Sequence, residues 1–477
     1  MPPHLHTDAV TGCTLRFAET GKETPIMKLD TRRTVLVGLA FMSISTFWQM
    51  YDSVVPLILT KTFALNETWS GAIMAADNVL ALFLLPLFGG LSDKLNTRIG
   101  RRMPFILCGT AGAVVLMNLL PVLDNKFYGI TTGDSSGNAG WLRAAFIVVL
   151  GLQLVCMGTY RSPAVALMPD VTPKPLRSKA NAIINLMGAM GGILYLGVAA
   201  VLYSDKRIGG LPHVDYTLLF AVVSAIMVGC IAVLFFTTNE PKLAAANRAY
   251  EAAHPEQNLA ETTDTGAEKL PRPVRRSLGF LLISISLWFI GYNGVTTWFT
   301  TYIDKVMGKG LGGASTCLLV ATAGAIVSYV PIGVLASKIG RKRTIQGGIL
   351  LLCACFATAF FVTVNATSIT VGMYPLFALV GLAWAAINVN SLPMVVEMCR
   401  GSDVGKFTGY YYTFSMAAQV VTPILAGTLL SNISYQVLFP YAAVFVGLSF
   451  VTMLFVKHGD SKAEAKKGLE AFEDMDD

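Results

Sequence analysis

The amino-acid sequence predicts an all-α polytopic membrane protein whose 12 transmembrane helices form two six-helix, pseudo-symmetric halves. Three observations carry that expectation. Over 477 residues the chain is 54% hydrophobic and only 14% charged, too apolar for one soluble core. Its apolar residues gather into twelve runs, each near the length of about 20 residues with which a helix crosses a bilayer. A charged loop that follows the second run returns in altered form after the eighth.

Residues 1–33 are polar and read as a cytoplasmic tail. "MKLDTRR" at Met27 stands directly before the first span, so residues 1–26 read either as a disordered tail or as the product of a start codon placed too early. The first run is too long for a signal peptide and lacks a small-residue cleavage site. The N-terminal bundle is expected over 34–238, with spans at 34–60, 70–91, 103–123, 143–168, 180–203 and 216–238. The C-terminal bundle is expected over 277–456, with spans at 277–303, 314–336, 344–364, 369–396, 407–431 and 436–456. Helices are the default because lipid offers a backbone amide no partner outside its own segment. The alternating ten-residue pattern of a membrane β-barrel is absent. Residues 239–276 are charged, Ala-rich and punctuated by Pro, which suits a cytoplasmic linker that is part surface helix and part flexible connector. Residues 457–477 form the C-terminal tail.

The net charge of +7 is a matter of topology and points to no nucleic-acid partner. With a cytoplasmic N-terminus, 28 of the 36 Lys and Arg fall in cytoplasmic segments, seven in the opposite loops, and Arg161 inside a span. That imbalance puts both termini in the cytoplasm of a bacterial-type plasma membrane, with the lipid bilayer as the partner of the outer surface. The eight Cys are scattered and read as small buried hydrophobes, without a disulfide framework or a metal site. No Gly-rich phosphate loop appears, which argues against an ATP-driven pump, and no enzyme activity or bound cofactor is expected.

The recurring loop is "GGLSDKLNTRIGRRMP" at 89–104 and "GVLASKIGRKR" at 333–343, with Gly100 matching Gly340. A weaker echo joins "SPAVALMPD" at the end of span 4 to "SLPMVVE" at the end of span 10. Two parallel repeats supply a mechanism, because bundles that rock about a midplane site expose it to each side in turn. A conformational latch is expected from Gly90, Asp93, Arg98, Gly100, Arg101, Arg102, Gly340 and Arg341, with Asp170 and Glu397 at the cytoplasmic mouth. Glycines would let backbones approach, and Asp93 would pair with Arg101, Arg102 or a helix end across the moving interface. The same cations also serve simply to hold the loop inside.

These residues carry a resemblance. "GGLSDKLNTRIGRRMP" resembles the loop between helices 2 and 3 of the major facilitator superfamily, and its three-residue insertion is similar to the glycoside–cation symporters and sucrose-type transporters. "RSPAVALMPDVTPKPLRSKAN" at 161–181 and "YYYTFSMAAQVVTPILAG" at 410–427 resemble the same group. The resemblance covers residues 30–457 and implies the major facilitator fold and uptake of a glycoside or small oligosaccharide with a cation. One departure stands out. The sucrose-type pattern carries an Arg two positions after the Pro, where this chain has Val165, and its Arg stands a turn earlier, at Arg161.

Only Asp52, Asp77 and Arg161 lie well inside the spans. A charge at membrane depth costs about 2.5–3.5 kcal/mol on insertion scales, so each is expected to face a cavity or a partner. Asp52 is eight residues from Thr60 and Asp77 seven from Ser70, which puts both roughly 11 Å below the outer surface. Side by side they make an ion-coupling pair, because two partly desolvated carboxylates share a proton more readily than they both ionise. All five His lie outside the spans, so H+ would ride on these carboxylates, and Na+ coordination by them is the alternative. Otherwise Asp77 and Asn78 serve only a helix–helix contact. Arg161 is 18 residues from the outer end of span 4, below the Asp pair and not its partner, and is free to bond substrate or to pair with Asp170 or Glu397.

Substrate contacts are expected where a Trp stands one turn from polar groups: Trp48 and Gln49 near Asp52, Trp288 with Tyr292 and Asn293, and Trp384 with Asn388 and Ser391. A spacing of four shares a helix face, and a sugar takes an aromatic ring on its C–H side and amides on its hydroxyls. Packing contacts between helices would use the same residue types. Tyr410, Tyr411 and Tyr412 are consecutive and cannot share a face, and Gly188, Gly191, Gly192 and Gly197 read as close helix packing. The substrate would be a small molecule bound by a monomer. Two other readings stay open: an exporter of a hydrophobic or drug-like compound, and a membrane sensor without net transport.

Overall fold

The computed structural model describes residues 29–132, 139–253, 271–364, 369–398 and 404–460. The N-terminal tail up to residue 28, most of the linker beyond residue 253 and the C-terminal tail from residue 461 lie outside the described residues.

The N-terminal half is built from α1 (Thr31–Leu57), continued by a π-helical turn Ile58–Thr62, then α2 (Glu67–Lys94), α3 (Met103–Thr132), α4 (Gly140–Val171) and α5 (Arg177–Leu202). A short α6 (Asp205–Ile208) precedes α7 (Thr217–Thr237), and α8 (Glu240–Ala253) follows as the helical part of the linker. The C-terminal half is α9 (Arg272–Met307), α10 (Leu311–Ile339), α11 (Arg341–Val364), α12 (Tyr374–Val396), α13 (Val404–Asn432) and α14 (Leu438–Leu454). Twelve of these elements are long and apolar enough to cross a membrane. Among the described residues these are the twelve spans that the apolar runs predict, and several run past the expected ends: α3 continues to Thr132 and α9 begins at Arg272.

Local chemistry sets the ends of the helices. Asp30 and Asn66 each accept a hydrogen bond from a backbone N–H three residues on, at 3.1 and 2.9 Å, satisfying one of the donors that a helix start leaves open. Gly308 closes α9 in the left-handed region, φ 61°, which costs a residue without Cβ little.

Each half has its own apolar core. One contains Phe47, Tyr51, Phe146, Tyr160 and Phe220; the other contains Trp288, Trp298, Phe299, Tyr302 and Phe439. With an even number of spans, both described chain ends lie on one face, called proximal below, and the opposite face is distal. The halves meet chiefly through α2 against α13 and α5 against α10. Polar contacts joining them gather at the distal ends: Lys61 with Asp304 at 2.7 Å, Thr68 with Ser431 at 3.2 Å, Tyr435 with Glu67, and the Gly312 N–H to the Tyr203 carbonyl at 3.1 Å. Glycine makes this approach feasible. A Cβ on Gly71 would overlap the Pro423 carbonyl, one on Gly427 the Glu67 carbonyl, and one on Gly312 the Tyr203 carbonyl.

The seal therefore depends on missing side chains, and Gly71→Val should wedge it apart. A cysteine placed at Met74, just inside the seal, should react several-fold faster with an impermeant thiol reagent from the distal side in that background. Equal rates with and without the wedge would show that close approach at Gly71 does not hold the end shut.

Candidate functional site

A cavity of about 550 Å³ lies between the halves. It starts directly beneath the distal seal, at Asp52, Met74 and Pro423, and extends toward the proximal face past Phe41, Asn185 and Tyr412. The seal closes its distal end, so its opening lies on the proximal side, where Val165 on its wall is 48% exposed.

Six of the residues expected to couple ions or touch substrate meet on this wall: Trp48, Gln49 and Asp52 from α1, Asp77 from α2, Arg161 from α4 and Asn293 from α9. The helices α1 and α5 bring the first three into place by close packing at glycines. A Cβ on Gly191 would overlap the Met42 carbonyl, and one on Gly38 would stand 2.7 Å from Met187. Gly188 packs likewise against Ser45, whereas a Cβ on Gly197 would meet nothing within 4 Å, so the expected packing stripe stops before that residue. Asp77 accepts a hydrogen bond from Asn78 at 2.9 Å.

Arg161 corrects the depth reading. It does not stand apart from the carboxylates: it lies within Coulombic range of Asp77, its guanidinium 5.8 Å from the Trp48 ring. Side chains on a helix lean toward its N-terminus, and the N-terminus of α4 is distal, so this long side chain reaches up from its Cα toward the carboxylates. Asp170 and Glu397, offered as its partners, are engaged by Arg101, Arg102 and Arg341.

Five expected substrate contacts do not line the cavity; one of them, Ser391, is fully buried and donates its hydroxyl to the Asn388 carbonyl at 3.0 Å. Trp288 is fully buried in the C-terminal core, its indole N–H without a hydrogen-bond partner. Tyr292 and Trp384 are stacked on each other, centroids 3.7 Å apart and planes at 2°. Asn388 is buried and its side chain bonds Tyr329, tying α12 to α10. Spacing put these groups on one face of each helix, but packing turned that face toward neighbouring helices. Other polar groups of the C-terminal half take their place: Thr296, Thr297, Thr322, Tyr412 and Gln419. Thr296 and Thr297 stand three and four residues beyond Asn293, the spacing that could have found them. Of the three consecutive tyrosines, Tyr412 lines the cavity while Tyr411 is buried in the core. The wall is thus asymmetric. Its ionisable groups Asp52, Asp77 and Arg161 come from the N-terminal half, and the C-terminal half contributes amides and hydroxyls.

The proximal charges form a second constellation. Arg101 and Arg102 share Asp170, at 2.6 and 2.8 Å, and Arg102 also bonds Asp93 and Ser92. Arg341 pairs with Glu397 at 2.7 Å. These pairs form, but within a half rather than across the moving interface, because the 2–3 loop and the end of α4 are neighbours in one bundle. Gly90 is also no close-approach glycine, since a Cβ there would meet nothing within 4 Å, and Arg98 points to solvent. Glu240 is what the sequence reading missed. Buried to 1% exposure, its carboxylate accepts the backbone N–H groups of Arg101, Arg102 and Met103 at 2.7, 2.9 and 2.8 Å, capping α3. Gly100, at φ 118°, leaves room for it. The C-terminal half repeats the device: Asp460 accepts from Lys342 N–H at 2.9 Å beside Gly340, at φ 95°. A single acidic residue just beyond spans 6 and 12 was the available signal.

Glu240→Ala strands three backbone donors, two of them buried, and Asp460→Ala one exposed donor. The first should cost about 1–3 kcal/mol and the second less, visible as a larger fall in Tm during thermal unfolding in detergent. Equal losses would contradict the capping account.

Against known proteins, the model of the Major Facilitator Superfamily matches residues 37–328 and 306–473. The chain is 25% identical over 260 residues to sucrose transport protein SUC3 of Arabidopsis thaliana, covering 50% of this chain and 42% of that protein. It is 27% identical over 220 residues to proton-associated sugar transporter A of Homo sapiens, covering 45% of this chain and 28% of that one. The matched stretches thus span less than half of either relative. Among solved structures, the inward-open xylose transporter XylE of E. coli superposes with a TM-score of 0.62 at 16% identity, over 93% of this chain and 98% of that one. The nucleoside transporter NupG superposes with a TM-score of 0.62 at 13% identity, over 89% of this chain and all of that one.

Proposed function

The chain belongs to the Major Facilitator Superfamily, and we propose that it is a secondary transporter taking up a glycoside or small oligosaccharide with a proton by alternating access. The asymmetric cavity carries this reading. A volume of about 550 Å³ falls in the range of roughly 300–1,000 Å³ common for small-molecule sites. Asn293, Thr296, Thr297, Thr322 and Gln419 offer both donors and acceptors, which is what a ring of hydroxyls requires. Trp48 offers a ring face for the C–H side of a sugar. A drug-like substrate would gain little from so many neutral hydrogen-bonding groups.

The charges on the opposite wall suit coupling. Arg161 acts on Asp77, leaving Asp52 without a cation of its own among the cavity residues. A proton on Asp52 removes the remaining negative charge, and a neutral, loaded site then passes through the closed intermediate at the least electrostatic cost. The distal seal and proximal opening correspond to the release stage of import, with both termini cytoplasmic. The relatives' names, sucrose transport and proton-associated sugar transport, support the same substrate class and ion.

Proteoliposomes supplied with a panel of radiolabelled disaccharides should accumulate at least one under an acid-outside pH gradient and not under a sodium gradient. Accumulation of none of them would defeat the sugar reading, and accumulation driven by sodium alone would replace the ion. Asp52→Asn should abolish uphill accumulation while exchange of internal for external sugar continues. Arg161→Lys keeps the charge but loses the planar fork, so KM should rise about tenfold if the guanidinium touches substrate. An unaltered KM would remove Arg161 from the contact surface.

A further inference from the structure

The proximal surface of the C-terminal half carries a group of cations that none of the pairs described above uses. Arg272, Arg275 and Arg276 stand in the first turns of α9, and all three are exposed. Lys457, just beyond α14, is a fourth exposed cation. Its backbone N–H bonds the Ser277 hydroxyl at 3.2 Å, which sets it beside Arg276. Among the described residues, no ion pair joins any of the four to a carboxylate. The first turn of α9 holds no acid, and Asp460, close to Lys457 in sequence, accepts the Lys342 N–H at 2.9 Å. The matching start of α1 differs: there Asp30 lies 3.7 Å from Arg33 and also caps the helix. Cations in a helix's first turn oppose its dipole as well as one another. The excess positive charge is therefore not neutralised by the described residues.

An apolar surface adjoins the cations. The Arg276 guanidinium lies 5.8 Å from the centroid of the Phe280 ring, and Phe280 is stacked on Phe455 with centroids 5.1 Å apart. Phe455 is 53% exposed. Ile283 of α9 and Val451 and Leu454 of α14 are exposed too, on two helices that pack along each other. Arg276, Phe280 and Ile283 are spaced to share one helix face. Arg276 is also the last residue before the apolar run 277–303, so its charge stands at the level of lipid headgroups and the aromatic pair where the hydrocarbon begins.

We propose that this surface binds an anionic phospholipid of the proximal leaflet, its phosphate held by Arg272, Arg275, Arg276 and Lys457 and an acyl chain laid against Phe280 and Phe455. A guanidinium meets a phosphate with two parallel hydrogen bonds, and three guanidinium groups supply that geometry here. Cations at a membrane surface also draw anionic headgroups from the leaflet around them. A free phosphate would gain the cations alone, whereas a lipid also covers the exposed aromatic pair. None of these residues lines the central cavity. The site thus goes beyond the proposed function and requires only that the chain spans a bilayer, whatever it carries.

Native mass spectrometry of the full chain, released from micelles with equal amounts of phosphatidylglycerol and phosphatidylcholine, counts the lipid that stays bound. The parent should retain phosphatidylglycerol several-fold over phosphatidylcholine, and inorganic phosphate at millimolar concentration should not displace it. Arg272→Gln, Arg275→Gln and Arg276→Gln together should lose most of that preference. Phe455→Ser keeps every cation and should lower the phosphatidylglycerol retained. Lys242→Gln, Arg248→Gln and Lys338→Gln together remove three other exposed proximal cations and should bind as the parent does. Helical circular dichroism checks that each variant is folded. A parent without preference, or a parent-like preference in the triple arginine variant, would overturn the proposal. So would an equal loss in the control variant, which marks a diffuse effect of charge. Unchanged retention in Phe455→Ser, or displacement by inorganic phosphate, would replace the lipid with a free anion. A failed sugar-uptake panel would leave this result standing.

Discussion

A charge in hydrocarbon has no solvent, and that constraint organises the molecule. Inside the spans, Asp52, Asp77 and Arg161 are tolerated because they line one cavity between the halves, wide enough to admit solvent, with Arg161 in the field of Asp77. Most of the remaining charges lie at the helix ends, where they pair, cap or meet solvent; Asp124 is an exception, because α3 runs on to Thr132 and so places this fully buried carboxylate inside a span as well. The cavity is therefore more than a space left by imperfect packing. It is where the bilayer permits ionisable chemistry, and the helices that line it are placed accordingly.

Two kinds of contact then divide the structure. Within each half, an apolar core and a carboxylate cap bind the helices into one body: Glu240 across the start of α3, Asp460 at the start of α11. Between the halves, the distal seal is made by glycines against carbonyl oxygens and by a few polar pairs near water. Contacts of the first kind lie wholly within one half, so a rigid-body movement of the halves would separate none of their partners. Those of the second kind are individually weak and can be broken together, which suits an interface that has to open. The recurrence of the cap in both halves, at Gly100 and Gly340, shows the repeat to be structural as well as sequential.

Much of the site was legible before the structure, and for a simple reason. An ionisable residue in an apolar run is costly enough to announce itself, so Asp52, Asp77 and Arg161 stand out without any knowledge of packing. Neutral groups do not. Asn293 and Asn388 look alike in sequence, each within five residues of a Trp, yet one faces the cavity and the other bonds Tyr329 between helices. Thr322 and Gln419 carry no such signal at all, because a hydroxyl or amide is cheap on either face. Glu240 escaped notice because its worth lies in three backbone donors contributed by a loop 137–139 residues away.

By itself the sequence determined what depends on composition along one chain: twelve helices, their parallel repetition, the charge asymmetry and the ionisable groups that lipid cannot accept. Only the tertiary structure decided what depends on rotation about a helix axis and on contact between distant segments. That includes which ring faces the cavity, where the Arg161 guanidinium reaches, and which end of the molecule is sealed. Hydropathy averages over a helix's circumference, so it reports that a helix exists and leaves its facing to the neighbours it packs against.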